Sequence, residues 1–419
     1  MKRSNLILDN IVVEGNIVKY NFSVSEDIAD FFTTRQYFIE YGESMEDVPE
    51  SILTIPFVAT LMAFCWVTNT VLWVRELDRT FYDSIPHIKR AYQEIYHYFP
   101  FSGRVVPSIL KDNSISDPRD DHKALLLFSG GADAHATYIR NRSKNPLLFN
   151  IQGWYGSIDA VDSVAEADKR DINTFAGSLN LEAAHSKSNF ALVVSSKFDK
   201  TFKKSLGDSW WHGFVHSMAF ISIAIPLAFK RGIHEIIIAS SLTTGLNHLC
   251  ASNSTTDSEF RFAGTGTTLH DAFELNRQDK IRLICKFQKE LDRPYFMRVC
   301  SFHDSNCCEC EKCLRTVLGI VAEGSDPELF GFNIDKPLTE HWQGVMDRRI
   351  AMMGFGSENV IHWPHIKRRM KENYKKMNQE QKDLIDWFMA FDFFGEKKKA
   401  VRKYYRKNFF KILKRKLHL

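Results

Sequence analysis

The chain has 419 residues, 44% hydrophobic and 25% charged, with a net charge of +4. That balance is ordinary for a soluble globular protein and leaves room for a large core and two or three domains. Eight cysteines, five of them between residues 300 and 313, do not form a secreted disulfide framework, and the opening MKRSNLILDN has no long apolar run of a secretion signal, so the cytoplasm is expected.

Residues 7–22 alternate around Glu14-Gly15-Asn16, which predicts a β-hairpin. Helical patterns follow to about Tyr98. Within them residues 52–74 are apolar over a length that can cross a bilayer. Pro56, Asn69 and four threonines interrupt that run, so it is read as a buried helix of an N-terminal α+β domain, residues 1–115. Residues 112–121, rich in Asp, Ser, Asn and Pro, mark a linker.

Strand-like apolar runs then come at 124–128, 146–151, 190–194, 235–239 and 295–299. Helical patterns separate them at 132–142, 163–179, 210–230 and 277–291, with 218–229 as the core helix. Such alternation predicts an α/β domain over residues 120–335, a parallel five-stranded sheet with helices on both faces. The polar, glycine-rich stretch 251–269 reads as a substrate loop or mobile lid. Residues 336–419 read as a helical region of rising charge.

Two local patterns carry chemistry. LLLFSGGADAH, residues 125–135, describes a buried strand feeding a tight turn of Ser129, Gly130 and Gly131, with Asp133 in the helix it opens. Paired glycines allow positive φ and close backbone approach, and amides at a helix N-terminus, with the Ser129 hydroxyl, suit an anion such as phosphate. A plain structural βα turn is the competing reading. The second pattern is Cys300, Cys307, Cys310 and Cys313, spaced C-x6-C-x2-C-x2-C, which suits a closed tetrahedral zinc site. Cys308 is a fifth thiol in the same segment, so either it or Cys307 supplies the fourth ligand. A redox dithiol is the alternative, although it needs no third and fourth cysteine. His212 and His216 share a helical face, but no HExxH-type carboxylate accompanies them, so packing or substrate contact is expected.

The SGGxD turn and the segment NCCECEKCLRT (residues 306–316), with its trailing Arg315, together resemble the PP-loop ATP pyrophosphatases of the adenine nucleotide α-hydrolase fold. Among these the likeness is to the 7-cyano-7-deazaguanine synthase family, and it covers residues 120–325. Ser129, Gly130, Gly131 and Asp133 match the SGGxDS pattern of that family, while Ala134 replaces its final Ser. A hydroxyl there would contact phosphate, and leaving that oxygen unpaired costs about 1–3 kcal/mol unless His135 or Thr137 compensates.

The resemblance implies that the turn holds the pyrophosphate of ATP and that Asp133 acts through Mg2+ or by orienting the turn. It places adenine near residues 150–154, including Asn150, Gln152 and Trp154, and phosphate or substrate near Ser240, Ser241 and Thr243. Core packing and helix capping compete for those positions. Lys280 is expected to neutralise the leaving pyrophosphate, with a solvated helix charge as the competing reading, and Arg315 to assist catalysis.

The expected function is ATP-dependent adenylylation of a carboxylate or amide-type group for nitrogen or sulfur transfer, on a small-molecule or sugar-linked substrate. Surface-polysaccharide or modified-nucleoside metabolism is the expected setting, since chains with this cysteine segment and a basic tail resemble proteins associated with bacterial surface-polysaccharide synthesis. The alternative is a catalytically inactive, zinc-stabilised nucleotide-binding partner protein. From Glu396 onward eleven Lys or Arg and one acid give the tail a net +10, leaving about −6 on the rest. Tyr405, Phe409, Ile412, Leu413 and Leu417 interleave these bases at near-helical spacing, as in a basic amphipathic helix on an anionic membrane. A solvated tail competes with that reading, and nucleic acid is the weaker partner because no base-stacking module accompanies the bases.

Overall fold

The computed structural model describes residues 3–116, 121–153, 163–243, 250–300, 303–356 and 361–416, with side chains through Lys407 apart from that of Ser163. Trp154, Leu417 and the side chains of Phe409, Ile412 and Leu413 lie outside the described residues. Contacts divide the chain into two compact units, Met1–Glu274 and Leu275–Leu419. The sequence boundaries at 115–120 and 335–336 fall inside these units.

The first unit opens with β1 (Ser4–Glu14) and β2 (Ile17–Val24), antiparallel about Gly15, whose φ of 60° suits a residue without Cβ. β3 (Gln36–Tyr41) joins β2. α1 (Glu50–Thr68) starts after Pro49 and ends at Asn69, a left-handed C-cap with φ 56°. That cap ends the apolar run as helix, and Thr70 begins β4 (Thr70–Asp78). α2 (Arg79–Ile95) and β5 (Arg104–Lys111) follow, with β4 parallel to both β1 and β5. The region expected to be helical to Tyr98 thus contains β3 and β4, because a short continuous apolar run does not reveal its period.

Next come β6 (Leu125–Leu127), α3 (Ala132–Asn141), β7 (Leu147–Gln152), α4 (Ser163–Ser178) and β8 (Ala183–Ser188). They are followed by α5 (Phe190–Val193), α6 (Lys197–Leu206), α7 (His216–Arg231), β9 (Glu235–Ala239), α8 (Ser254–Asp257), β10 (Arg261–Phe262) and β11 (Gly266–Asp271). All eleven strands form one mixed sheet in the order β10-β11-β9-β6-β7-β8-β3-β2-β1-β4-β5. The pairs β11–β9, β9–β6, β6–β7 and β7–β8 are parallel, and β8 pairs antiparallel with β3. The expected five-stranded sheet is therefore not separate: β3 covers the edge that β8 would otherwise leave open.

Two expected strands were misplaced. Residues 190–194 carry α5, and the third parallel strand is β8, whose AAHSKS lacks an apolar run because most of its side chains are only half-buried. Residues 295–299 pair with no described strand, and β9 takes β11 as its neighbour instead. The expected lid 251–269 is largely α8, β10 and the start of β11, with Phe260, Phe262 and Ala263 fully buried. Its polar residues pair within the fold: Asp257 Oδ2 lies 2.8 Å from Nδ1 of His270, just beyond the stretch, in the core.

Alternate residues of the parallel strands face two layers. Leu125, Leu147, Phe149, Ile236 and Ile238 join the core cluster of α1 and α7, whereas Leu126, Leu148 and Ile237 are buried outside it. The helix pair Glu50–Thr68 and Trp211–Arg231 is long and apolar enough to cross a membrane, yet the first is wholly buried in the fold and the second largely so.

The second unit contains α9 (Arg277–Leu291), α10 (Glu311–Ala322), α11 (Leu338–Arg349), α12 (Trp363–Asn373), α13 (Gln379–Ala390) and α14 (Phe393–Lys416). Asn276 and Asp279 form a capping box at the start of α9. Arg369 on α12 pairs with Glu323, just past α10, at 2.6 Å, and Gln278 donates to the same carboxylate at 2.8 Å. Trp363, Phe388 and Phe393 pack edge to face where α12, α13 and α14 meet.

Candidate functional site

The glycine turn lies at the carboxyl end of β6, between neighbours β7 and β9. Chain order runs outward from β6 to β7 and β8 on one side and to β9 and β11 on the other. β6 is thus where the strand order reverses, the point at which open parallel sheets form a ligand crevice. Gly130 has φ 73°, and Gly131 is the extended N-cap of α3, its amide donating to Ser129 Oγ at 3.4 Å. Ser129 is exposed, while Gly130, Gly131 and Asp133 are half-buried at the opening of the helix. The amides of this turn and the positive end of α3 can receive an anion.

The neighbouring candidates divide into braces and surface groups. Asn150 is buried, and its Nδ2 donates to the Phe128 carbonyl at 3.2 Å, tying β7 to the strand end that leads into the turn. Gln152 donates to the Ala165 carbonyl at 2.7 Å. Ser240 is buried and its hydroxyl donates to the Leu242 carbonyl at 2.8 Å, closing the turn after β9, while Ser241 is exposed. Thr243 is half-buried nearby in the chain.

The two proposed substitutes for the missing serine face the core instead. His135 is buried with its ring against Phe128 and Phe175, at centroid distances of 5.0 and 4.6 Å. Burial pushes its imidazole down to about 3, opposed by a hydrogen bond to the Gly130 backbone. His135 therefore props the turn from below, a role its position in the sequence does not advertise. Thr137 is fully buried, and Ala134 is buried as well. Lys280 and Arg315 belong to the second unit, both buried; Arg315 pairs with Glu311 at 3.5 Å.

The cysteine segment of the second unit closes into a cluster. The sulfurs of Cys300, Cys307, Cys310 and Cys313 all lie within 4.8 Å of one another, with Cys307 and Cys313 at 4.0 Å. Tetrahedral thiolate ligation of zinc needs sulfur separations of about 3.8 Å, so a small inward adjustment completes the site. Four soft sulfur donors and no other ligand fit a metal such as zinc. Cys310 caps α10, its sulfur accepting from the Cys313 amide at 3.5 Å. Asn306 holds the loop by accepting from Val299 N at 2.9 Å and donating to the carbonyls of Met297 and Gly331. Cys308 takes a left-handed φ of 52° and turns its thiol to the Asn306 carbonyl, so Cys307 is the member of the quartet.

His212 and His216, expected to serve packing or substrate contact, share a half-buried polar cluster with Asp208 and the buried Cys250 in the first unit. Cys250 lies 34 residues beyond His216, so no local spacing signals the association. Comparisons with protein-family models, with curated proteins and with solved structures find no match for this chain.

Proposed function

We propose that the first unit binds ATP in the PP-loop manner and cleaves it to AMP and pyrophosphate, adenylylating a carboxylate or amide-type substrate for nitrogen or sulfur transfer. The supporting observation is the Gly130–Gly131 turn, which opens α3 at the carboxyl end of the strand where the order of the parallel strands reverses. In this reading Ser129 and the amides of Gly130 and Gly131 hold phosphate, and Asp133 carries Mg2+. Gln152 and Ser241 line the crevice at the ends of β7 and β9, while Asn150 and Ser240 stiffen its walls. Roles for Lys280 and Arg315 rest on the family resemblance alone.

The four-cysteine site holds a structural zinc in this reading, contributing on the order of 10 kcal/mol to the order of its segment. The substrate is a small or sugar-linked molecule of surface-polysaccharide or modified-nucleoside metabolism. The compartment is the cytoplasm, with the basic α14 lying against the anionic inner face of the membrane. Ala134 favours a second reading, a nucleotide-binding partner protein without catalysis.

Calorimetry with Mg2+-ATP and an assay for pyrophosphate release, on wild type and Asp133→Asn, test both readings. Binding with release that is lost in the variant supports the enzyme, and binding without release supports the partner protein. No affinity of the folded, metal-replete chain for any purine triphosphate overturns both.

A further inference from the structure

The first unit contains a buried thiol surrounded by groups that the nucleotide reading does not use. Cys250 Sγ lies 3.9 Å from His216 Nε2 and 3.7 Å from the His212 carbonyl oxygen, which places the sulfur against both histidines. His212 Nδ1 is 2.8 Å from Asp208 Oδ2, a pairing that fixes the ring and leaves Nε2 as the nitrogen that exchanges a proton. His216 Nδ1 donates to the Trp211 carbonyl at 3.0 Å, so its Nε2 also faces the thiol as an acceptor. Two histidines thus stand against one sulfur.

The supports around this group are specific. Asp208 Oδ1 accepts from the Ser209 amide at 2.7 Å, and its Oδ2 accepts from Tyr96 at 3.4 Å. Tyr96 also donates to the Gly213 carbonyl at 3.0 Å. A Cβ at Gly213 would come within 2.7 Å of the Tyr96 hydroxyl and 2.9 Å of Asp208, so the close approach needs glycine. Trp211–Val215 form a π-helical turn, the widened turn that brings His212 and His216 to one side of the helix. The chain after Cys250 is tied down as well: Ala251 N donates to the His212 carbonyl at 3.2 Å.

We propose that Cys250, His212 and Asp208 form a nucleophilic centre for acyl transfer, with Cys250 as nucleophile, His212 as proton carrier and Asp208 as the group that orients it. The inference is independent of ATP binding. Its substrate is an activated acyl group, an ester or thioester. The Cys250 sulfur forms a bond to the carbonyl carbon, the bond from that carbon to the leaving oxygen or sulfur breaks, and His212 passes the former thiol proton to the leaving atom. An amine or water then attacks the thioester and gives a proton to His212, and the Cys250 thiolate departs. His216 Nε2, 3.9 Å from the sulfur, holds the thiol in place.

The electrostatics agree with this arrangement. Burial raises the Cys250 thiol, but the hydrogen bonds to His212 and His216 outweigh it and bring the group from 9.0 down to about 7. His212 is pushed up to about 10, chiefly by Asp208 and then by Cys250. His216 also feels Asp257, and Tyr92 and Tyr96 both stand near the sulfur. Burial alone pushes Cys65 far up, and burial is the largest of the causes that take Cys285 to about 12. Cys250 is itself buried, while the His212 side chain beside it is 38% exposed.

The test is timed alkylation of the full-length, metal-replete chain by iodoacetamide at pH 7, read by peptide mass mapping, with Cys65 and Cys285 as internal standards. Cys250 should react well ahead of both. In His212→Gln the thiol keeps His216 alone against its burial and should rise; a rise from about 7 to 9.0 lowers the thiolate fraction about 50-fold, and the more basic thiolate recovers part of that, leaving a net loss of about sixfold. Asp208→Asn should slow the reaction in the same direction, and alkylation of wild type against pH should have its midpoint near 7. Incubation with p-nitrophenyl acetate should leave an acetyl group on Cys250. Reaction no faster than at Cys65 and Cys285, or rates unchanged in both variants, overturns the nucleophile. Alkylation without acetylation overturns the acyl-transfer assignment.

Discussion

Lowering the pH from 7 to 5 is expected to cost the first unit about 2 kcal/mol through His135 alone. The imidazole is enclosed by Phe128 and Phe175 beneath the glycine turn, and burial takes it from 6.5 to about 3. The unfolded chain therefore accepts this proton near pH 6.5, whereas the folded chain refuses it until about pH 3. A folded value below the unfolded one means stability is complete above pH 6.5 and is lost as the pH falls. The loss is about 1.4 kcal/mol for each pH unit between those limits. Urea unfolding at pH 7 and pH 5, followed by hydrogen exchange of β6 and α3 amides, measures it in wild type and in His135→Gln. The variant starts less stable but should lose about 2 kcal/mol less between the two conditions. Equal losses in both proteins, or a His135 resonance that titrates near 6.5, would refute the argument.

The other expectations concern the metal site and the end of β7. Elemental analysis should find about one zinc per chain; Cys310→Ser should lose it and lose helicity with it, while Cys308→Ser should retain both. Gly153 has φ +93°, and a Cβ there would stand 2.3 Å from the Ser188 carbonyl oxygen. Gly153→Ala should therefore destabilise the first unit by about 2–4 kcal/mol, and a thermal midpoint unchanged from wild type would count against the close packing of β7 on β8.

Local pattern alone accounts for the hairpin at Gly15, for β9 and α9, and for the turn that joins β6 to α3. Each depends on neighbours a few residues away: a glycine that tolerates positive φ, an apolar run bounded by turn residues, a capping Asn276. The cysteine quartet was legible for the same reason, since its ligands span only fourteen residues. The choice between Cys307 and Cys308 was not, because it turns on the left-handed backbone at Cys308 and on the side to which that thiol points.

Long-range pairing decided the remainder. β8 is a strand because β7 and β3 flank it, although AAHSKS has little apolar pattern of its own. β11 is a strand because β9 and β10 take up its backbone and Asp257 takes up His270, so a polar stretch that reads as a loop can be buried. The same holds for Cys250, which chain folding carries to two histidines more than thirty residues away. Periodicity records what a residue's neighbours in sequence require; hydrogen bonds between distant segments satisfy polar groups without leaving a trace in it.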